Sequence, residues 1–405
     1  MFKERIKTHH SAMADAKQYV MGPRKVVELL TQLKPDIEVK EKATIYIHVP
    51  FCNKICTFCN MRRRLQQPLS YYHELIIKEI EAYSMLPYIQ DITFDAIYFG
   101  GGTPTTLSAE ALSLILSALH NYFNLTKDVE ITVETTVTEL THEKIKVLKE
   151  GGVTRLSVGV QTFNDRGRKL MGRIGSGETA YNKLKELKAA GFKTISMDLI
   201  YNYEGQTLEE LIGDLEKIAA LELDGFSMYS LIDMKQTTIS KAQSIEEDKK
   251  CFDTIANTMM KKGYRFLELT KMVRGDEYKY VMNRHIGADT LPLGAGAGGS
   301  LGGLMLMNDI ELEKYEEAVL HFEEKQGMLF EKEYQKLSRF KGAIQTLKLP
   351  EDISFYKDQK AYKEIIEEML QRGYIEKKKE NYQLTTEGIF WGNNISRILY
   401  ELSQH

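Results

Sequence analysis

From about residue 44 the chain alternates between short apolar runs and longer segments with apolar residues at helical spacing. The short apolar runs Thr44–Val49, Ala96–Phe99, Val129–Glu134, Arg155–Gly159, Thr194–Ile200 and Gly225–Leu231 read as strands. Between them, stretches of about 70–86, 108–122, 141–150, 178–190, 207–220 and 245–262 carry the 3.6-residue period of helices. Strand and helix in alternation predict parallel βαβ units, since a parallel pair needs a crossover long enough to hold a helix. Six units in about 220 residues suit an open, partial (β/α)6 barrel better than a closed eightfold one. The C-terminal ends of its strands are where a site is expected.

Outside this region the pattern changes. Residues 1–40 are polar, with one helical stretch over Val26–Leu33, and are expected to lie as an arm on the main domain. The glycine-rich stretch Leu291–Gly303 breaks the alternation and is expected to close a barrel domain of residues 41–305. Residues 306–405 are charged and mostly helical. Gly373–Gly388 has the pattern of a helix, a hairpin and a helix, which predicts a small winged-helix-like C-terminal domain.

Composition narrows the classes. With 43% hydrophobic and 27% charged residues the chain has an ordinary globular make-up. A net charge of -3 and a pI near 6.4 give no electrostatic case for nucleic-acid binding. There is no long apolar run for a membrane helix and no apolar core for a signal peptide, so the expected compartment is the cytoplasm. Four cysteines in 405 residues do not make a disulfide framework.

Three of those cysteines, Cys52, Cys56 and Cys59, follow the first predicted strand with the spacing C-x3-C-x2-C. A zinc site would want a second pair, and Cys251 stands alone, as a small core residue. Three thiolates on one tight loop hold three irons of a cubane cluster and leave the fourth iron without a protein ligand. An open iron can bind a small chelating molecule and pass it an electron. The loop resembles that of the radical S-adenosylmethionine (SAM) enzymes. In that family a [4Fe-4S] cluster chelates SAM and, on reduction, cleaves it to methionine and a 5'-deoxyadenosyl radical. Arg62, Arg63 and Arg64 follow directly, as a solvated face or as partners for an anionic ligand.

Further motifs close successive strands. Gly100-Gly101-Gly102-Thr103-Pro104 ends the second, where glycines let backbone approach a ligand. Glu134 ends the third and suits a ribose or an ammonium group. Gln161 ends the fourth and offers both donor and acceptor. Arg173 follows 12 residues later with a fork that suits a carboxylate, and Asp198 ends the fifth. Their order resembles the oxygen-independent coproporphyrinogen III oxidase (HemN/HemW) branch from about Thr44 to Leu301. The resemblance implies two SAM molecules. Tyr46, Gly101, Glu134 and Gly298 match positions that hold the cluster-bound one. Phe58, Gly102, Thr103, Gln161, Arg173, Asp198 and Ser230 match positions that hold the second.

Three activities occur in the branch. The oxidases decarboxylate two propionates of coproporphyrinogen. The haem chaperones bind haem, and many carry an HNxxYW motif, where this chain has Asn283-Arg284-His285-Ile286. The third group comprises methyltransferases and the anaerobic haem-utilisation enzymes (anaerobilin synthase, ChuW/HutW type). The segment Gly287–Gly303 resembles that last group, whereas Asn60–Arg64 departs from its pattern after the third cysteine. The resemblance therefore implies a methyltransferase that opens haem to a linear tetrapyrrole and releases iron, served by a flavodoxin-type electron donor. The alternatives are a haem chaperone, a coproporphyrinogen III oxidase or another methylase of the branch.

Overall fold

The computed structural model describes residues 1–8, 16–232, 239, 242–350, 356, 358–379 and 381–404. Residues 9–15 of the expected arm lie outside the described residues. Six parallel strands run in chain order: β1 (Ala43–Val49), β2 (Phe94–Gly101), β3 (Leu125–Thr136), β4 (Arg155–Gln161), β5 (Thr194–Tyr201) and β6 (Gly225–Ser230). The crossovers are α1 (Tyr72–Ser84), α2 (Ala109–Tyr122), α3 (His142–Glu150), α4 (Gly177–Ala189) and α5 (Leu208–Ala220), and α6 (Ile245–Lys261) follows β6. Side chains of Ser108, Thr141, Ser176, Thr207 and Ser244 cap the starts of α2 to α6, and Thr207 and Glu210 complete a capping box. Those caps explain why the helix boundaries were legible to within a residue or two.

One face of each strand feeds the helix–sheet core, through Ile45, Ile97, Val133, Val158, Met197 and Phe226. The other face points into the barrel and is polar or aromatic, as the period of two requires. The sheet does not close. Among the described residues it has 13 strands, and its edges are Val20–Lys25 and Arg265–Glu268.

Two features depart from the sequence expectation. The glycine-rich stretch does not simply break the pattern: Thr290–Leu293 forms a seventh parallel strand, β7, beside β1. Four residues with Pro292 among them are too short and too proline-marked to announce a strand. On its other side β7 pairs only through Thr290 and Ser300, so the missing proline N–H is tolerated. The edge strand Val20–Lys25 comes from the expected arm and pairs with Gln326–Phe330, beyond residue 305. The sheet thus draws in chain from both sides of the expected boundaries. A half-exposed edge strand containing Gly22 and Pro23 shows no apolar alternation to find it by.

The C-terminal part holds α7 (Lys279–His285) and α8 (Lys332–Gln345), then α9 (Gln359–Gln371), the hairpin Ile375–Lys378 with Asn381–Leu384, and helices Thr386–Phe390 and Gly392–Gln404. The N-terminal tail joins it to the barrel. Arg5 bonds to Asp248 on α6 at 2.9 Å and to the Phe390 carbonyl at 2.9 Å, with its guanidinium 4.1 Å from the Phe390 ring centre. No described helix is long and apolar enough to cross a membrane.

Candidate active site

The cysteine loop leaves the end of β1. Its base is closed where Phe51–Cys52 pairs with Arg64–Leu65, and Arg64 N donates to Pro50 O at 2.7 Å. The loop folds back on itself where Cys59 N donates to Cys56 O. Thr57 pins it to the far wall, its hydroxyl donating to Leu170 O at 2.8 Å. Cys52 is buried and Cys56 and Cys59 are half-buried. Burial pushes the Cys52 and Cys59 thiols above the ordinary value, and the neighbouring thiols add to it. Three crowded thiols of this kind are stabilised as thiolates only by a cationic partner. Among the described residues no three ligands close on a single ion. A cubane takes one thiolate at each of three corners, so a spread trio on one loop fits it better than a mononuclear metal.

The expected first set gathers on β1 to β3. The Tyr46 hydroxyl lies 2.8 Å from His48 Nδ1, and His48 Nε2 lies 3.0 Å from Arg62 O, behind the loop. Tyr98 donates to Glu134 Oε1 at 2.6 Å. Burial raises the Glu134 carboxyl to about 7, opposed by the Tyr98 bond and reinforced by the charge of Asp198. A Cβ at Gly101, where φ is +111°, would meet the His48 ring at 2.6 Å, and one at Gly102 would meet Phe51 O at 2.5 Å. Gly298 stands on a separate strand against Met307, and its region reaches the others through Gly296, which packs on His48.

The expected second set lies across the barrel. Arg173 Nη1 donates to Cys56 Sγ at 3.2 Å, and Nη2 donates to Gly159 O. Gln161 stands beside them, with φ of +69° where the β4–β5 register shifts. Asp198 pairs in register with Gly159. Burial raises the Asp198 carboxyl, with Lys271, Arg155 and Arg173 opposing. Thr103 Oγ1 lies 3.8 Å from Cys52 Sγ. Ser230 accepts from Asn202 Nδ2 at 3.4 Å, and Phe58 packs near Met171, Ile200 and Tyr203. Gln161 Oε1, Arg173 Nε and Asn202 Oδ1 are buried without a protein partner. Buried polar atoms left unpaired at a strained backbone position are what a ligand site leaves behind when the ligand is not counted.

Sequence reasoning missed His48, Asn202 and the charged floor under the barrel, where Asp276 pairs with Arg155 at 2.8 Å and with Lys271 at 3.1 Å. His48 was within reach, because it follows Tyr46 by two residues and so shares its inward face. Burial lowers it to about 4, so it is a neutral link between Tyr46 and the loop. The arginine triplet is largely committed to structure. Arg63 donates to Cys59 O at 2.5 Å, Arg64 pairs with Glu311 at 2.9 Å, and only Arg62 is on the surface. His285 pairs with Glu268 at 3.1 Å.

An open parallel barrel with a three-cysteine loop after its first strand defines a radical SAM protein, and the Radical SAM superfamily model matches residues 46–218. The Heme chaperone HemW of Lactococcus lactis is 31% identical over 86% of this chain and 95% of its own length. The Anaerobilin synthase of Escherichia coli O157:H7 is 30% identical over 90% of this chain and 85% of its own. The chain belongs to the HemN/HemW branch, the oxygen-independent coproporphyrinogen III oxidase-like radical SAM proteins. The solved coproporphyrinogen III oxidase (HemN) from Escherichia coli shares the fold, with a TM-score of 0.76 at 22% identity over 89% of this chain and 90% of that one.

Proposed function

We propose that the chain is a radical SAM methyltransferase that opens haem without oxygen, using two SAM molecules, to give a linear tetrapyrrole and free iron. The observation that carries this reading is the second polar set. Gln161, Arg173 and Asn202 present buried, unpaired atoms, and Asp198 adds a buried carboxylate across the barrel from Glu134. The Tyr46–Glu134 group on β1 to β3 accounts for one SAM, and this second, unpaired set offers a place for another.

In this reading Cys52, Cys56 and Cys59 hold the cluster. When bound, it supplies the electron that cleaves SAM. Tyr46, Gly101, Glu134 and Gly298 hold the first SAM, the glycines by letting backbone approach. Phe58, Gly102, Thr103, Gln161, Arg173, Asp198 and Ser230 hold the second. Arg173 sits between the Cys56 thiol and β4 and orients a carboxylate there. The protein's main contribution is to hold both cofactors and the macrocycle in register. The substrate is haem or a related tetrapyrrole, the donor a flavodoxin-type protein, and the compartment the cytoplasm.

A haem-chaperone reading is supported by the likeness to the Heme chaperone HemW, which matches that of the Anaerobilin synthase. One experiment separates them. Reconstituted, reduced protein is incubated without oxygen with haem and methyl-labelled SAM. Loss of the Soret band with a labelled linear tetrapyrrole supports ring opening. Retained haem absorbance with no methylated product refutes the methyltransferase and favours the chaperone. Release of carbon dioxide from coproporphyrinogen favours the oxidase.

A further inference from the structure

The short helix α7 crosses beside the open barrel and turns one face into it. Tyr280 stacks on Tyr98 at 4.6 Å and faces Tyr46 at 6.0 Å. Arg284 follows one turn later on the same face. Its Nη1 lies 3.3 Å from the Tyr280 hydroxyl, and its guanidinium carbon lies 5.4 Å from the Tyr280 ring centre. Arg284 is exposed to solvent beside the Tyr280 ring.

The partners on this helix differ in a telling way. Lys279 is neutralised by Asp95 and Asp128, and His285 faces Glu268. Arg284 makes no ion pair among the described residues. Neither does Lys341, on α8. That helix is locked against α7, since a Cβ at Gly342 would meet the His285 carbonyl at 1.9 Å. Burial and the nearby Arg284 charge both lower the Lys341 ammonium. Two cations held close without an acid repel each other, and a bound anion removes that penalty. The aromatic wall of Tyr46, Tyr98 and Tyr280 adjoins Arg284. Tyr46 leads through His48 to the back of the cysteine loop, and Tyr98 leads to Glu134.

We propose that Arg284 and Lys341 form an anion subsite that holds the carboxylate side chains of a flat aromatic macrocycle, beside the tyrosine wall and facing the candidate SAM site. This rests on the tetrapyrrole reading above and names how that substrate is gripped. The guanidinium takes one carboxylate as a fork and the ammonium takes charge without fixed geometry.

The test is anaerobic absorbance titration of the cluster-loaded protein with haem and with haem dimethyl ester, which differ only in the carboxylates. Wild type binds haem more tightly than the ester. Arg284→Gln and Lys341→Gln each weaken haem by about tenfold or more and leave the ester unchanged, while Arg284→Lys recovers part of the loss. Iron content and thermal melting confirm that each variant is folded, and the haem-against-ester comparison in wild type needs no variant. Equal binding of haem and ester by wild type overturns the subsite, as does unchanged haem binding by both glutamine variants. Both results leave the proposed function standing. Failure of wild type to bind either compound overturns the subsite and the tetrapyrrole reading together.

Discussion

Asp276→Asn removes the carboxylate that neutralises two buried cations under the barrel. Arg155 grips Asp276 with two bonds of 2.8 Å, and Lys271 Nζ lies 3.1 Å away. All three side chains are no more than 1% exposed. Burial alone would raise the Asp276 carboxyl, but Arg155 and Lys271 more than reverse that and hold it well below its usual range. Breaking such a pair leaves charge stranded in a poorly solvated interior, at a cost of about 3–5 kcal/mol. An unfolding entropy of about 2.1 cal/mol/K per residue gives roughly 0.85 kcal/mol/K for a chain of this length. The melting midpoint is therefore expected to fall by about 4–6 °C. The sign with pH follows from the depressed value. The stabilisation is present above the unfolded carboxyl pKa of about 3.9 and is lost as pH falls further through the folded value. The gap between wild type and variant should thus be full at pH 7 and shrink below about pH 4. Glu277→Gln is the control, because its partner Lys193 is 65% exposed and the pair stands in solvent; it should shift stability by no more than about 0.5 kcal/mol. Melting curves of the two variants across pH decide the matter. An Asp276→Asn midpoint within about 1 °C of wild type at pH 7 would refute the claim that this trio holds the floor.

Alanine at Cys52, Cys56 or Cys59 should abolish iron uptake on anaerobic reconstitution, whereas Cys251→Ala, a buried lone thiol, should keep full iron content by elemental analysis. Asp198→Asn should keep iron yet lower methyl transfer about tenfold or more, the cost of one charge-assisted bond, read as S-adenosylhomocysteine formed. Because the Glu134 carboxyl lies near 7, it is neutral below that and charged above. SAM binding measured by calorimetry should therefore tighten from pH 6 to 8, and Glu134→Gln should flatten the profile. Gly102→Ala should disable SAM binding, since its Cβ would strike Phe51 O at 2.5 Å, while Gly298→Ala should leave the fold intact, its Cβ meeting the flexible end of Met307, and weaken binding of the first SAM.

The pattern of this chain determined its parallel core because local rules agree there. Inward and outward residues alternate along each strand, serine and threonine caps start the helices, and most of the polar residues singled out fall in the C-terminal half of a strand. The cysteine loop was legible for the same reason: its chemistry lies within eight residues. What the tertiary structure alone decided is long-range. β7 pairs with β1 through Thr290 and Thr44, which are 246 residues apart.

 The hydroxyls of those two residues lie 3.0 Å apart. No local period reports a pairing at such a distance, and a four-residue strand carries too little pattern of its own. The buried trio of Arg155, Lys271 and Asp276 joins β4 to a strand and turn, with Asp276 121 residues after Arg155, that only the folded sheet brings beside it. Arg284 and Lys341 are ordinary basic residues on their separate helices, and they become a pair only where α8 locks against α7. Likewise Arg173 is one arginine among many until the loop carries Cys56 to within 3.2 Å of it. Local chemistry is written in neighbouring residues. Which charges face one another, and which are left without a partner, is set by packing across the whole barrel.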